Sequence, residues 1–168
     1  MRYLIANGPS PTTAAQAVVT TGTNIKTMLQ VKLGATVHGK IKEWGISFDG
    51  SAAATPIKCE LCEVDVAATV PTHVAAGIVK YDAMALGAGD PTTALVSVGT
   101  AATGYTASAE GTITTTRMFD VQLIAPTNQY VKQFPLGDEP IIQAGQFARI
   151  IVHAGAAVNA YCYLILEV

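Results

Sequence analysis

The sequence predicts an all-β protein: an antiparallel β-sandwich, of jelly-roll type, with a short N-terminal arm. Three observations predict it. Apolar residues recur at every second position in several short runs, the pattern of half-buried strands. Gly, Pro and Asn fall between the runs, where turns need unusual dihedrals. Apolar spacing of three and four residues, the mark of an amphipathic helix, is nearly absent. The chain has 168 residues, which suits one domain of ordinary size.

The elements follow in chain order. Met1-Arg2-Tyr3-Leu4-Ile5-Ala6 is a short apolar strand cut off by Asn7-Gly8-Pro9-Ser10-Pro11. Residues 1–16 therefore read as an N-terminal arm or strand and residues 17–168 as the sandwich. Ile25, Thr27, Leu29, Val31 and Leu33 alternate with polar or small residues. Trp44, Ile46 and Phe48 alternate with Glu43, Gly45, Ser47 and Asp49, which makes these three the expected core anchors. Ile57, Cys59 and Leu61 face one way and Lys58 and Glu60 the other. Glu63 and Asp65 follow in the opposite phase, so a bulge or strand end falls near Cys62.

Pro71 to Leu86 reads as a long loop with at most one helical turn, because Gly77 interrupts its Ala and Val spacing. Leu95, Val96 and Val98 form a short strand, and Gly99 to Gly111 reads as an extended loop available to a partner. Phe119, Val121 and Leu123 are the expected inward positions of the next strand, with Asp120, Gln122 and Ile124 outward. Phe147 to His153 and Ala157 to Leu166 look like the arms of a hairpin closed by Ala154-Gly155-Ala156.

Composition narrows the function classes. Half the residues are hydrophobic, but 27 are Ala, and only 13% are charged. That is about half the usual charged share of a soluble domain, and it suits a surface covered by neighbours. Lys and Arg number 10 against 12 acids, without the basic excess of a nucleic-acid binder. No apolar run has the length of a secretory h-region or a spanning helix. No nucleic-acid and no membrane partner is expected.

Catalytic patterns are absent. None of Ser10, Ser47, Ser51, Ser97 and Ser108 lies in a G-x-S-x-G elbow. Gly87-Ala88-Gly89 lacks the third glycine of a dinucleotide loop. Cys59-Glu60-Leu61-Cys62 is formally a C-x-x-C, but on a strand its thiols point to opposite faces. His38, His73 and His153 show no ligand spacing, and no local acid orients His153. The expectation is a non-catalytic protein with no metal and no cofactor.

The string Lys42-Glu43-Trp44-Gly45-Ile46-Ser47-Phe48-Asp49-Gly50, with Pro56-Ile57-Lys58-Cys59-Glu60-Leu61 after it, resembles a group of small virion proteins of tailed bacteriophages. The likeness continues in Tyr130 to Phe134, Pro140-Ile141-Ile142 and Ala156 to Tyr161. The group is that of head decoration, or cement, proteins. The resemblance implies a jelly-roll sandwich that binds the major capsid protein on the outer surface of the capsid. It further implies a homotrimer and a location on the virion after synthesis in the host cytoplasm. Within that reading Arg2, Tyr3, Leu4 and Ile5 are the candidate capsid and subunit contacts. The alternative is a tail or head-fibre component whose sandwich binds a host glycan, through Tyr81, Tyr105 or Tyr130.

Overall fold

The computed structural model describes residues 1–8, 15–51, 55–81 and 95–168. Alternation becomes strand pairing almost throughout. In chain order the strands are β1 (Arg2–Ala6), β2 (Val19–Thr20), β3 (Asn24–Leu33), β4 (Gly39–Asp49), β5 (Ile57–Val64), β6 (Val79–Lys80), β7 (Val96–Ser97), β8 (Gly104–Tyr105), β9 (Thr116–Ile124), β10 (Gln129–Gln133), β11 (Ile141–Ile142), β12 (Phe147–Ala154) and β13 (Asn159–Glu167). One 3-10 turn, Ala75–Gly77, is the helical turn expected between Pro71 and Leu86. Pro9-Ser10-Pro11 and Gly87-Ala88-Gly89 lie outside the described residues.

Two antiparallel sheets pack face to face as a β-sandwich. Sheet A runs β10-β4-β13-β1-β6, with β2 and β11 added at its ends, and sheet B runs β7-β3-β12-β5-β9, with β8 beside β3. The core lies between them. Trp44, Ile46 and Phe48 on β4 meet Cys59 and Leu61 on β5, Leu29 and Val31 on β3, and Leu164 and Leu166 on β13. The three expected anchors are therefore all core residues, and Trp44 is fully buried. Closely interlocked small and branched side chains fill this layer, as interior packing density requires.

Four expectations need correction. First, of the arm or strand expected at the N-terminus, residues 2–6 form the strand, and it is built into a sheet instead of standing apart. β1 pairs with β13 on one side and β6 on the other. Tyr3 and Ile5 are both 0% exposed, and burying a side chain like Ile5 is worth about 1.5–3 kcal/mol. Asn7, also buried, carries the sheet one residue further: its amide donates to the Ala160 carbonyl at 3.1 Å and accepts from the Cys162 N–H at 2.9 Å.

Second, Phe147 to His153 and Ala157 to Leu166 do not pair as a hairpin. β12 sits between β3 and β5 in sheet B, and β13 sits between β4 and β1 in sheet A. The loop at Gly155 arches from one sheet to the other. The burial patterns explain this. β12 is buried at seven of its eight positions, as a central strand covered on both faces must be. β13 alternates cleanly.

Third, β9 keeps its expected phase only at Phe119, which packs against the core, and reverses it beyond. Asp120 and Ile124 point inward, whereas Val121 and Leu123 point out at 45% and 74% exposure. The register shifts between Leu61 and Cys62, the bulge expected there, and this fixes β9 against β5 in the observed phase. Fourth, Gly99 to Gly111 is not a free loop. Ala102, Thr103 and Ala107 are buried, Gly104 and Tyr105 pair with β3, and Ala109 and Gly104 bridge to Thr69 and Thr72.

Candidate functional site

Three places could act on the outside world: the outer face of sheet B, the outer face of sheet A, and the polar cluster at the β9–β10 edge. On sheet B, β5, β12 and β3 line up in cross-strand rows. Half of this face is clad. Arg149 on β12 is opposite Cys62 on β5 and Gln30 on β3. Its guanidinium is 0% exposed and donates to the Glu110 carbonyl at 3.1 Å and to the Val66 carbonyl. Gln30 donates to the Ala102 carbonyl at 2.7 Å and accepts from the Ala68 N–H at 2.8 Å. Glu110 accepts from the Thr27 N–H at 2.6 Å. Residues 65–72 and 99–115 are thereby tied down over Cys62, Val64, Phe147 and Ile151, a second small core. A buried charge holds only where its donors find acceptors. Here two backbone carbonyls and the Glu110 carboxylate, 3.4 Å from Nη1, take the two terminal nitrogens, while Nε has no hydrogen-bond partner among the described residues.

Among the described residues the other half of the same face is bare. Leu123 is opposite Lys58, and Val121 opposite Glu60. His153 lies opposite Lys58 on the other side, and Ile25 opposite His153. Ile25 is 55% and Met118 46% exposed. Inside this apolar rim, the Glu60 carboxylate lies 2.7 Å from Lys58 Nζ and 2.8 Å from His153 Nε2. Burial opposes the Glu60 charge, but the bonds from Lys58 and His153 outweigh it and lower its pKa. The acid that orients His153 thus comes from the neighbouring strand, 93 residues away in the chain. Sequence reasoning missed it because only the register of β5 and β12 brings the two together.

At the β9–β10 edge, Asp120 replaces an apolar residue on the inward face. It accepts from Trp44 Nε1 at 3.1 Å, Tyr130 Oη at 3.0 Å and Gln122 Nε2 at 2.9 Å. Lys132 Nζ is 3.3 Å away. Burial would raise the Asp120 pKa, yet these donors and the Lys132 charge lower it overall. Tyr130 is pushed up to about 12, by burial and by that carboxylate. Its ring centroid is 5.4 Å from that of Trp44. The cluster is a structural clasp that closes the sandwich edge, with both Asp120 oxygens partnered within it.

The sequence-selected contacts separate. Tyr3 and Ile5 belong to the core, whereas Arg2 lies exposed, 3.8 Å from Glu167. Leu4 faces outward on sheet A and lines a depression of about 540 Å³ with Ala6, Val18, Val79 and Tyr161. Tyr105 and Tyr130 do not converge on a groove. Tyr105 packs on His73, and Tyr130 on Trp44. His73 is buried, and its Nε2 lies 2.8 Å from the Ala6 carbonyl. Burial lowers the His73 pKa. Among the described residues no group of three His, Cys, Asp or Glu side chains is placed to hold a metal ion. No helix among them is long and apolar enough to cross a membrane.

The thiols fall as the strand geometry predicts. Cys59 faces the main core and Cys62 the small core beneath the loop layer. Burial, the main cause, pushes both up to about 12 and Cys162 well above its ordinary value. Compared with family models, with curated proteins and with solved structures, the chain finds no significant match.

Proposed function

We propose that this is a structural virion protein. It binds the outer surface of a phage capsid and stabilises the shell, as a decoration or cement protein, by burying surface and without chemistry. The observation that carries the reading is the inverted strand β9. Asp120 and Gln122 are turned toward the sandwich interior, and Val121 and Leu123 are turned out with Met118 of the same strand, while the exposed Ile25 lies at the far end of the same cross-strand row, beyond Lys58 and His153. An apolar row on a strand with a polar inner row marks a face meant to be covered by protein. The Lys58–Glu60–His153 trio in its centre supplies polar partners for docking, and an edge strand next to it has a backbone ready to pair.

The resemblance of the Lys42–Gly50 string to phage decoration proteins supports the same reading at the level of the fold, since that string forms the central strand β4 of sheet A. The chain crosses from sheet to sheet between β2 and β3, β3 and β4, β4 and β5, β5 and β6, β6 and β7, β9 and β10, β11 and β12, and β12 and β13, and such repeated crossing supports the jelly-roll part of the proposal. Low charge over the whole chain suits packing against the major capsid protein and against other copies in a homotrimer. Copies held around one axis would gain avidity from linkage, and mass action would stabilise the shell state that binds them.

The test is addition of purified protein to undecorated heads of the virus that encodes it, followed by sedimentation. Wild-type protein should move with the heads. The double variant Val121→Lys/Leu123→Lys should stay in the supernatant with an unchanged melting temperature, because both side chains are already outside. Equal sedimentation of the folded double variant would remove β9 from the interface. Failure of the wild type to bind would end the decoration reading.

A further inference from the structure

The outer face of sheet A differs in kind from the β9 face. Its cross-strand rows are Gln129–Ser47–Tyr161, then Val131–Gly45–Tyr163–Ala6, then Gln133–Glu43–Ile165–Leu4. Gly45 is the feature that shapes it. A Cβ at that position would stand 2.5 Å from Cε1, 2.9 Å from Cζ and 3.0 Å from Oη of Tyr163. The Tyr163 ring therefore lies across the bare backbone of β4, in the space a side chain would fill. One face of the ring rests on the sheet, and the side chain as a whole remains half-exposed.

The ring is held in that pose at its tip. Tyr163 Oη donates to the Glu43 carboxylate, and Gln133 Nε2 donates to the other Glu43 oxygen at 2.6 Å. Tyr161 follows at the adjacent outward position, its ring centroid 6.1 Å from that of Tyr163 and inclined by 35°. On either side of the pair the surface sinks. Tyr161, Ser47 and Leu4 line the depression of about 540 Å³, and Glu43, Gln133, Arg2, Tyr81 and Ile165 line one of about 320 Å³. From Tyr161 to Ile165 the strand covers about 13 Å, the reach of a short oligosaccharide.

The charges beside this track are neutralised among themselves. Lys42 Nζ lies 2.6 Å from Glu139 and 3.1 Å from Glu167, and Glu167 is 3.8 Å from Arg2. On the track itself the Glu43 carboxylate is bonded by the neutral Tyr163 and Gln133, which disfavours an anionic ligand. What remains is an aromatic pair, its rings inclined by 35°, edged by hydroxyl, carboxylate and amide groups. That is the chemistry of sugar recognition: the weakly positive C–H face of a pyranose rests on the negative face of an aromatic ring. A few fixed polar groups then take its hydroxyls. The Glu43 carboxylate has about four acceptor sites and uses two on Tyr163 and Gln133.

We infer that the outer face of sheet A is a binding site for a neutral pyranose chain. Tyr163 and Tyr161 are its stacking surfaces, and Glu43 and Gln133 are its hydrogen-bonding edge. The site lies on the opposite sheet from β9, so it neither needs nor excludes capsid attachment through that strand. A decoration protein bearing it would present the site outward from the shell.

The test uses the full-length protein alone, without capsids, so its outcome is independent of the capsid assay. Cellotetraose, chitotetraose and maltotetraose are titrated separately into labelled protein, followed by amide NMR shifts. At least one should bind saturably, with a Kd on the order of 1 mM or tighter, and shift Glu43, Gln133, Tyr161 and Tyr163. Tyr161→Ala, which removes no hydrogen bond, should weaken that binding by about tenfold or more. Tyr163→Phe, which keeps the ring, should retain it within about threefold. No saturable shift on this face with any of the three sugars overturns the inference. So does a Tyr161→Ala protein with the wild-type melting temperature and unweakened binding. A wild-type protein whose sheet A signals are broadened by self-association, and recover on dilution without sugar, assigns the face to a second copy and also overturns it.

Discussion

On the outer face of sheet B, Arg149 and Gln30 reach up and hold a layer of loop by its own carbonyls and N–H groups. On the outer face of sheet A the matching central positions carry Gly45, Ser47 and two tyrosines, and those tyrosines are left half-exposed. Both faces belong to antiparallel sheets with the same alternation. The difference is the length of the polar side chains and what they can reach. A buried guanidinium must find acceptors, so it recruits chain to cover it. A glycine and a flat ring make no such demand and leave a surface for something else. Stability is concentrated under the loop layer of one sheet, and the proposed recognition lies on surfaces across which no loop is tied among the described residues.

The largest effect should come from removing a strand. Deleting residues 1–7 takes β1 out from between β13 and β6 and removes the buried Tyr3, Ile5 and Asn7. The shortened chain should show no cooperative thermal transition by circular dichroism. A truncated protein that melts like the full chain would return the segment to the status of a separable arm.

Next comes Arg149→Met. It strips the Glu110 and Val66 carbonyls of their donor and should cost about 3–5 kcal/mol in denaturant unfolding, the range for breaking a buried charged network. The amides of residues 66–72 and 103–109 should exchange faster, while those of β1 and β13 keep their relative protection. Uniform loss across both sheets would erase the contrast between the faces.

Acid should act where the two sheets meet at the β9–β10 edge and beside β11. The Asp120 pKa is lowered in the fold. The Glu139 pKa is lowered to about 2, by the Lys42 ammonium and by backbone N–H groups. A carboxylate with a depressed folded pKa stabilises the native state above its unfolded pKa, about 4. That contribution fades as pH falls toward the folded value. Stability should therefore decline from about pH 4.5 downward, and Asp120→Asn should flatten part of the decline. A variant with the wild-type acid profile would remove Asp120 from this role.

The smallest effect is an absence that the second variant should abolish. Thiols raised by burial are unreactive, so no cysteine of the native protein should label with a disulfide reagent at neutral pH. In Arg149→Met, Cys62 should label first, since only the loop layer covers it. Cys59 and Cys162, in the main core, should wait for global unfolding. Equal labelling of all three would mean that the layer does not open separately.

Much of this architecture is legible in local pattern. The alternation of Trp44, Ile46 and Phe48 places them in the core, and the phase break after Cys62 marks a real bulge. What escapes is information carried by distant partners. Asp120 faces inward because Trp44 Nε1, 76 residues away, needs an acceptor, and no periodicity in residues 116–124 says so. Arg149 looks like one polar interruption in an apolar strand until Glu110 and Val66 are placed over it. The Asn7-Gly8-Pro9 break hides the pairing of β1 with β13 and β6, although Met1 to Ala6 already reads as a strand. For the interaction surfaces, exposed Val121 and Leu123 read as core from sequence because alternation gives a phase but not its sign. The Tyr163 platform depends on Gly45 lying opposite it, a matter of register alone.

The central claim is that this protein coats a shell through one outer face of its sandwich. An electron-microscopy map of the decorated particle tests it most directly. The account predicts sandwich density on the outside of the capsid, with β9 and the Lys58–Glu60–His153 trio against the shell and Tyr161 and Tyr163 facing solvent. Particles that lack such density, or a sandwich bound through sheet A with β9 in solvent, would contradict it.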